Sequence, residues 1–83
     1  MKEITIDVSQ LFDHTDSAKL QDLPTYLEQV SRIAGTGNRI VLTGRGPIWL
    51  YLKIAHELHG TAASLDYDSP VTGRVSIFDH NPF

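Results

Sequence analysis

Residues 39–60 constrain the fold more than any other stretch, because a strand, a tight turn and a helix follow one another there without a gap. The β-branched run 40–43 is typical of a buried strand. The turn Gly44-Arg45-Gly46 follows, and then Pro47, whose fixed φ suits a first helical position. Apolar periodicity predicts a helix from there to Leu58, stopped by the glycine two residues later. This succession predicts an α/β protein.

The flanking sequence supplies the other elements, in the order β-α-β-α-β-β. Strands are predicted at 3–8, 40–43, 61–67 and 74–78, and helices at 24–34 and from Pro47 to Leu58. The strand-helix-strand unit 40–67 is expected to be parallel with a right-handed crossover. The expected fold is a small single-domain α/β sheet with helices packed on it, ferredoxin-like or Rossmann-like.

Composition excludes several classes of protein. With 83 residues the chain can form one domain with a small core. It contains no cysteine, so disulfides and thiolate metal sites are ruled out. A net charge of −3 argues against a nonspecific binder of long nucleic acid, which needs a basic surface. Neither an apolar N-terminal segment nor a membrane-length run is present, so we expect no membrane partner and a cytoplasmic location.

The glycine turn is the first candidate site. A strand that turns into a helix N-terminus leaves backbone N–H groups and a positive dipole end free for an anion. Arg45 adds a guanidinium, so Gly44, Arg45, Gly46 and Pro47 are candidate ligand-binding residues. The alternative is a plain turn that needs glycine for a positive φ. Trp49, just inside the helix, is a candidate for base stacking or a dimer interface.

The second predicted helix carries two histidines. Its core face is expected to contain Ile48, Tyr51, Ile54, Ala55 and Leu58. A second stripe beside that face contains Trp49, Leu52, His56 and His59. His56 and His59 are three residues apart, so their rings can converge as metal ligands or acid–base groups. The alternative is a solvated helix edge.

A carboxylate and a third histidine could complete that site. Asp68 follows a predicted strand, and the carboxyl ends of parallel strands meet at one edge of a sheet. We therefore expect the glycine turn, His56 and Asp68 to gather there, with His80 near the end of the chain. Imidazole and carboxylate ligands suit manganese or zinc. The alternative for Asp68 is a turn residue, since Asp-Ser-Pro is ordinary turn chemistry.

These motifs together resemble a known family. They are Gly44-Arg45-Gly46-Pro47-Ile48-Trp49-Leu50, Ala55-His56, Tyr67-Asp68 and His80. They are similar to the small CRISPR-associated ring nuclease family of type III systems, also described as a manganese-dependent RNA deadenylase. Relatives carry a basic residue close after the aspartate, whereas here Ser69 and Pro70 intervene and Arg74 is the next basic residue.

The resemblance implies an antiviral signalling role. Residues 1–83 would form one ring-nuclease-like domain that dimerises, two dimers enclosing cyclic tetra-adenylate and cutting its phosphodiesters. Gly44, Arg45 and Gly46 would bind phosphate or adenosine, and His56, Asp68 and His80 would hold Mn²⁺ or act in catalysis, with His59 as a further candidate. The alternatives are an exonuclease on adenosine-rich RNA ends and a module that only binds the cyclic nucleotide.

Overall fold

Six regular elements follow one another as β-α-β-α-β-β, which confirms the predicted α/β class. The computed structural model describes residues 1–13, 15 and 17–80. The elements are β1 (Glu3–Asp7), α1 (Leu23–Ala34), β2 (Arg39–Thr43), α2 (Ile48–Leu58), β3 (Ser64–Ser69) and β4 (Gly73–Asp79), with short 3-10 helices at Val8–Phe12 and Leu20–Asp22. Within the described residues, neither helix is long and apolar enough to cross a membrane.

The four strands form one sheet in sequential order, β1-β2-β3-β4. β1, β2 and β3 are parallel, as predicted for the central unit, and β4 pairs antiparallel with β3. The sheet therefore has two unlike ends. The carboxyl rim contains the ends of β1 to β3 and the start of β4, and the amino rim contains the starts of β1 to β3 and the end of β4.

Both helices pack on one face of this sheet. Alternate strand residues, such as Ile6, Leu42 and Leu65, point towards the helices and are buried in one cluster with them. The opposite face is more polar. There Arg74 on β4 reaches the carboxylates of Asp66, at 3.0 Å, and Glu3, at 2.6 Å. These hydrogen bonds, that to Glu3 foremost, raise the pKa of the Arg74 guanidinium. Only side chains on the helix side of the sheet can therefore line a groove between the sheet and a helix.

Helix α2 is rotated relative to the predicted core face. Leu50, Ile54 and Leu58, spaced four residues apart, are fully buried, whereas Ile48 is 78% exposed. The prediction that Ile54 and Leu58 lie on the core face is confirmed, and the same prediction for Ile48 is wrong. The ridge of i, i+4, i+8 side chains docks on the sheet, and this turns Ile48, Tyr51 and Ala55 towards β4.

The observed element boundaries differ from the predicted ones where local hydrogen bonds compete with those of the strands and helices. Pro47 has φ −68° and ψ 150°, so it caps α2 from outside and Ile48 is the first helical residue. After α2 the N–H groups of Thr61 and Ala62 still donate to the Leu58 carbonyl, which delays β3 to Ser64 and leaves Asp68 inside the strand. The turn between β3 and β4 is therefore shorter than the gap 68–73 between the two predicted strands. The end of β1 is likewise shortened by the 3-10 helix at Val8–Phe12.

Candidate functional site

The glycine turn has a conformation that the fold itself demands. Gly44 has φ 95°, and a Cβ atom there would lie 2.0 Å from Oδ1 of Asp7. That oxygen is fixed, because it accepts hydrogen bonds from the Ser9 N–H at 3.0 Å and the Ser9 hydroxyl at 2.6 Å. A Cβ atom on Gly46 would lie 3.0 Å from the Val8 side chain. Gly44 therefore fits the plain-turn alternative, which requires a positive φ, whereas Gly46 has no positive φ and is restricted only by its packing against Val8. Neither reason applies to Arg45.

A half-buried tyrosine, Tyr51, holds the turn from below. The Tyr51 hydroxyl donates a hydrogen bond to the Gly44 carbonyl. Its ring meets that of Tyr67 edge to face, with centroids 5.3 Å apart. Burial, with smaller contributions from Tyr67 and Asp7, raises the pKa of the Tyr51 phenol, so it stays a neutral donor. The turn is consequently anchored on α2 as well as on β1.

Arg45 is the exposed member of the turn. Within the described part of the chain it forms no ion pair. The first turn of α2 begins next to it, and the capping residue Pro47 offers no side-chain hydrogen bond to the helix N–H groups. A guanidinium and free N–H donors at the positive end of a helix dipole favour an anion.

An apolar groove of 520 Å³ starts at this turn and runs between α2 and β4. Ile48, Leu52 and Ala55 form the helix wall, and Ile77 of β4 faces them. The floor and the end near the turn contain Leu42, Leu65, Tyr67, Pro70, Tyr51 and the residues 44–46. The groove is open because α2 sits above the middle of the sheet and nothing in the described residues covers β4. It therefore offers an apolar, partly aromatic surface beside a cationic turn.

A β-bulge shapes the far wall of the groove. The register between β3 and β4 shifts by one residue, so that Leu65 pairs with Phe78 but Asp66 pairs with Ser76. The extra residue, Ile77, lines the groove while Phe78 packs against the core and His59, so both face the helix side. Bulges re-aim side chains in this way, and the sequence pattern does not reveal them.

The histidines meet at the amino rim and not beside the glycine turn. The rings of His59 and His80 have centroids 4.7 Å apart, and Phe78 contacts both, at 5.2 Å and 4.8 Å. His80 is fixed by its N–H, which donates to the Ala63 carbonyl just before β3. Because α2 runs antiparallel to β3, its last turn is at the end opposite Arg45. The prediction that the histidine site shares a rim with the turn is therefore wrong for a single chain.

His56 and Trp49 lie on a different flank of α2. Neither lines the groove, and neither belongs to the His59–His80 ring cluster. The half-buried Trp49 ring packs partly against the core, while His56 is exposed. Helix geometry puts both on the side of Leu50 and Ile54 away from β4. Trp49 as a stacking residue and His56 as a catalytic residue stay predictions.

Asp68 lies at the carboxyl rim, as predicted, but on the polar face of the sheet. Leu65 and Tyr67 point to the helices, so strand alternation turns Asp66 and Asp68 the other way. Arg74 is paired in register with Asp68, yet its guanidinium binds Asp66 and Glu3. Arg74 is therefore already engaged by two carboxylates.

The described residues of one chain offer no ready site for a metal ion. Among the described residues there is no group of three or more histidines, aspartates or glutamates that could hold one. The predicted set His56, Asp68 and His80 is thus not assembled by the fold of a single chain, since each member lies on a different flank, face or rim. His14 lies outside the described residues.

Comparison with known proteins shows the family to which the chain belongs. The model of the family described as CRISPR-associated protein (Cas_csx3) matches residues 13–83. The chain belongs to this CRISPR-associated family. A protein of Aquifex aeolicus (strain VF5), called "Uncharacterized protein", is 44% identical over 43 residues, which make up 52% of this chain and 39% of that protein. The match thus spans well under half of that relative. No solved structure matches this Cas_csx3 chain.

Proposed function

We propose that this Cas_csx3 protein is a phosphodiesterase that binds and cleaves cyclic tetra-adenylate, and so ends antiviral signalling in type III CRISPR systems. One observation carries the proposal: the exposed Arg45 and the N-terminus of α2 open directly onto an apolar groove with a tyrosine floor. Such a site matches a ligand that alternates phosphates with flat bases. Membership of a CRISPR-associated family supports the choice of a CRISPR signal among such ligands.

The groups for the chemistry would be the two imidazoles at the amino rim. One of the pair His59 and His80 would accept the proton of the attacking oxygen, and the other would donate a proton to the leaving oxygen. Arg45 and the helix N–H groups would hold the phosphates of the ring and offset their charge. His59, and not His56, is the helix histidine that contacts His80.

A module that only binds the cyclic nucleotide is the second candidate. Arg74, the next basic residue after Asp68, is engaged with Glu3 and Asp66, and this favours binding without turnover. The third candidate is an exonuclease on short adenosine-rich RNA. Competition between ring and linear RNA as substrates separates this candidate from the cyclic tetra-adenylate phosphodiesterase.

Arg45→Ala tests the binding half of the proposal. Loss of a charge-assisted contact to phosphate should weaken binding of cyclic tetra-adenylate by about tenfold or more, as measured by calorimetry. Arg32→Ala on α1 is the matched control, because Arg32 is an exposed arginine in a surface pair with Glu28 and lies away from the groove. Equal affinity of both variants and the wild type would contradict the site.

Turnover is tested by incubating the protein with cyclic tetra-adenylate, with and without Mn²⁺, and separating linear products. We expect cleavage by the wild type and at least about a hundredfold loss in His59→Ala, the size of a general acid–base contribution. His56→Ala separates the two helix histidines: cleavage near the wild-type rate would assign the acid–base role to His59, whose ring contacts His80, and a comparable loss would assign a role to His56. Binding without products under any divalent metal would establish the binding module instead.

A further inference from the structure

A second cavity lies on the other side of the glycine turn from the groove. Its volume of 470 Å³ is close to the 520 Å³ of the groove, and both volumes suit small ligands. Its walls are the turn itself, two residues of the 3-10 helix after β1, Ser9 and Phe12, and two residues of the segment before α1, Ser17 and Ala18. Because β2 lies between β1 and β3 in the sheet, the turn that follows β2 stands between the second cavity and the groove.

Arg45 belongs to both cavities. Together with Gly46 it lines the groove and the second cavity alike. Within the described part of the chain, no other charged side chain lines either of them. An anion bound to this guanidinium therefore meets one positive charge, with ligand-sized space on both sides of it.

Each cavity has an aromatic ring next to the turn. The ring is Tyr51 on the groove side and Phe12 on the other side, and the backbone of Gly46 separates them. A Cβ atom on Gly46 would lie 3.6 Å from the Tyr51 ring and 3.7 Å from the Phe12 ring. Both rings are half-buried, so part of each is accessible. Aromatic rings of this kind pack against flat groups such as nucleobases.

The second cavity also offers hydroxyl groups. Among the described residues the Ser17 hydroxyl has no hydrogen-bond partner, since only the carbonyl of that residue is engaged, by the Thr15 hydroxyl. The Ser9 hydroxyl donates to Asp7, and its lone pairs are available to a ligand. Two hydroxyls beside an aromatic ring suit a sugar that is joined to a base. The second cavity is therefore suited to a ribonucleoside.

We infer that each chain holds two consecutive nucleosides of a ribonucleotide, one in the groove and one in the second cavity, with the phosphodiester between them on Arg45. A phosphodiester carries one negative charge, which the single guanidinium matches, whereas a terminal phosphate carries nearly two. A phosphodiester also continues on both sides, as the two cavities do. A mononucleotide would leave one cavity empty. The inference rests on the proposed function for the identity of the bases, and it adds how many of them one chain holds.

Two ligands of equal charge distinguish two nucleosides from one. The dinucleoside phosphate ApA and the methyl ester of adenosine monophosphate each contain one phosphodiester, but only ApA has a second nucleoside. ApA should bind at least about tenfold more tightly, because one more base is stacked. Calorimetry, or displacement of labelled cyclic tetra-adenylate, measures both affinities. Equal affinities of the two ligands would overturn the inference.

Leucine substitutions that fill one cavity at a time test where the two nucleosides lie. Ala18 in the second cavity and Ala55 in the groove are both half-buried wall residues. Ala18→Leu and Ala55→Leu should each lower the affinity for ApA to that of the methyl ester. Ala63→Leu is the matched control, because Ala63 is half-buried just before β3 and lines neither cavity. It should leave the affinity for ApA unchanged.

Ser17→Leu repeats the test of the second cavity at an exposed position, where the new side chain does not enter the core. It should weaken ApA binding as Ala18→Leu does, and circular dichroism checks that each variant is folded. Unchanged ApA affinity in folded Ala18→Leu and Ser17→Leu would overturn the inference.

The proposed function and this inference fail in different ways. If the wild type binds cyclic tetra-adenylate but does not prefer ApA to the methyl ester, the inference is wrong and the proposed function is unaffected. If the wild type does not bind cyclic tetra-adenylate, the proposed function is wrong. The comparison of ApA with the methyl ester then still decides whether the two cavities act as one site.

Discussion

At the residue scale, the two kinds of glycine in this chain differ in what they do. Gly44 has a positive φ and no room for a Cβ atom, because Asp7 is held against it by Ser9. Gly60, just beyond α2, has nothing within 4 Å of a Cβ position and no positive φ. The sequence alone makes both look like turn glycines.

Gly44→Ala should therefore destabilise the protein and Gly60→Ala should not. Strain from the left-handed backbone and the clash with Asp7 should lower the free energy of unfolding by about 1–3 kcal/mol or more. Gly60→Ala should be neutral or stabilise by about 0.4–1 kcal/mol, since it restricts the unfolded chain. Urea denaturation measures both. Equal stability of the two variants would mean that Asp7 moves aside at little cost.

At the element scale, α2 determines the groove through the face on which it docks. Its buried ridge of Leu50, Ile54 and Leu58 fixes the rotation of the helix, and the rotation turns Ile48, Leu52 and Ala55 towards β4. Had the predicted face been buried, Ile48 would be inside and the groove would lose its helix wall.

A pair of isoleucine variants on α2 tests this rotation. Ile54→Ala removes a fully buried side chain and should cost about 2–5 kcal/mol of unfolding free energy. Ile48→Ala, six residues earlier, should change the unfolding free energy by less than about 0.5 kcal/mol because the side chain is mostly in water. The midpoints of denaturation in urea compare them. A larger loss of unfolding free energy in Ile48→Ala than in Ile54→Ala would contradict the observed rotation and favour the predicted core face.

At the scale of the whole molecule, the half-buried phenol of Tyr51 couples the stability of the fold to alkaline pH. The pKa of Tyr51 is raised in the folded state, above its ordinary value near 10. The neutral form is thus favoured on folding, and its contribution is fully present below pH 10. It is lost as the pH rises through the folded-state pKa, because the unfolded chain releases this proton first.

Tyr51→Phe should reduce the loss of folding stability at alkaline pH. The variant loses the hydrogen bond to the Gly44 carbonyl, which should cost about 0.5–1.5 kcal/mol at neutral pH. Above about pH 10 its stability should fall less steeply than that of the wild type. Denaturation measured at pH 7, 9 and 11 gives both values. Parallel profiles would show that Tyr51 does not titrate differently in the folded and unfolded states.

The sequence by itself determined the element order, the α/β class, the parallel central unit and the position of Arg45 in a strand-to-helix turn. These features depend on neighbours in the chain, namely hydrophobic periodicity, glycine and proline, which act over a few residues. The rotation of α2, the bulge at Ile77 and the location of the histidines depend on contacts between distant elements. His59 and His80 are 21 positions apart in the printed sequence, and only the antiparallel return of β4 beside β3 brings their rings together at the amino rim. Tertiary packing therefore decided that the glycine turn and the histidine pair lie apart in one chain.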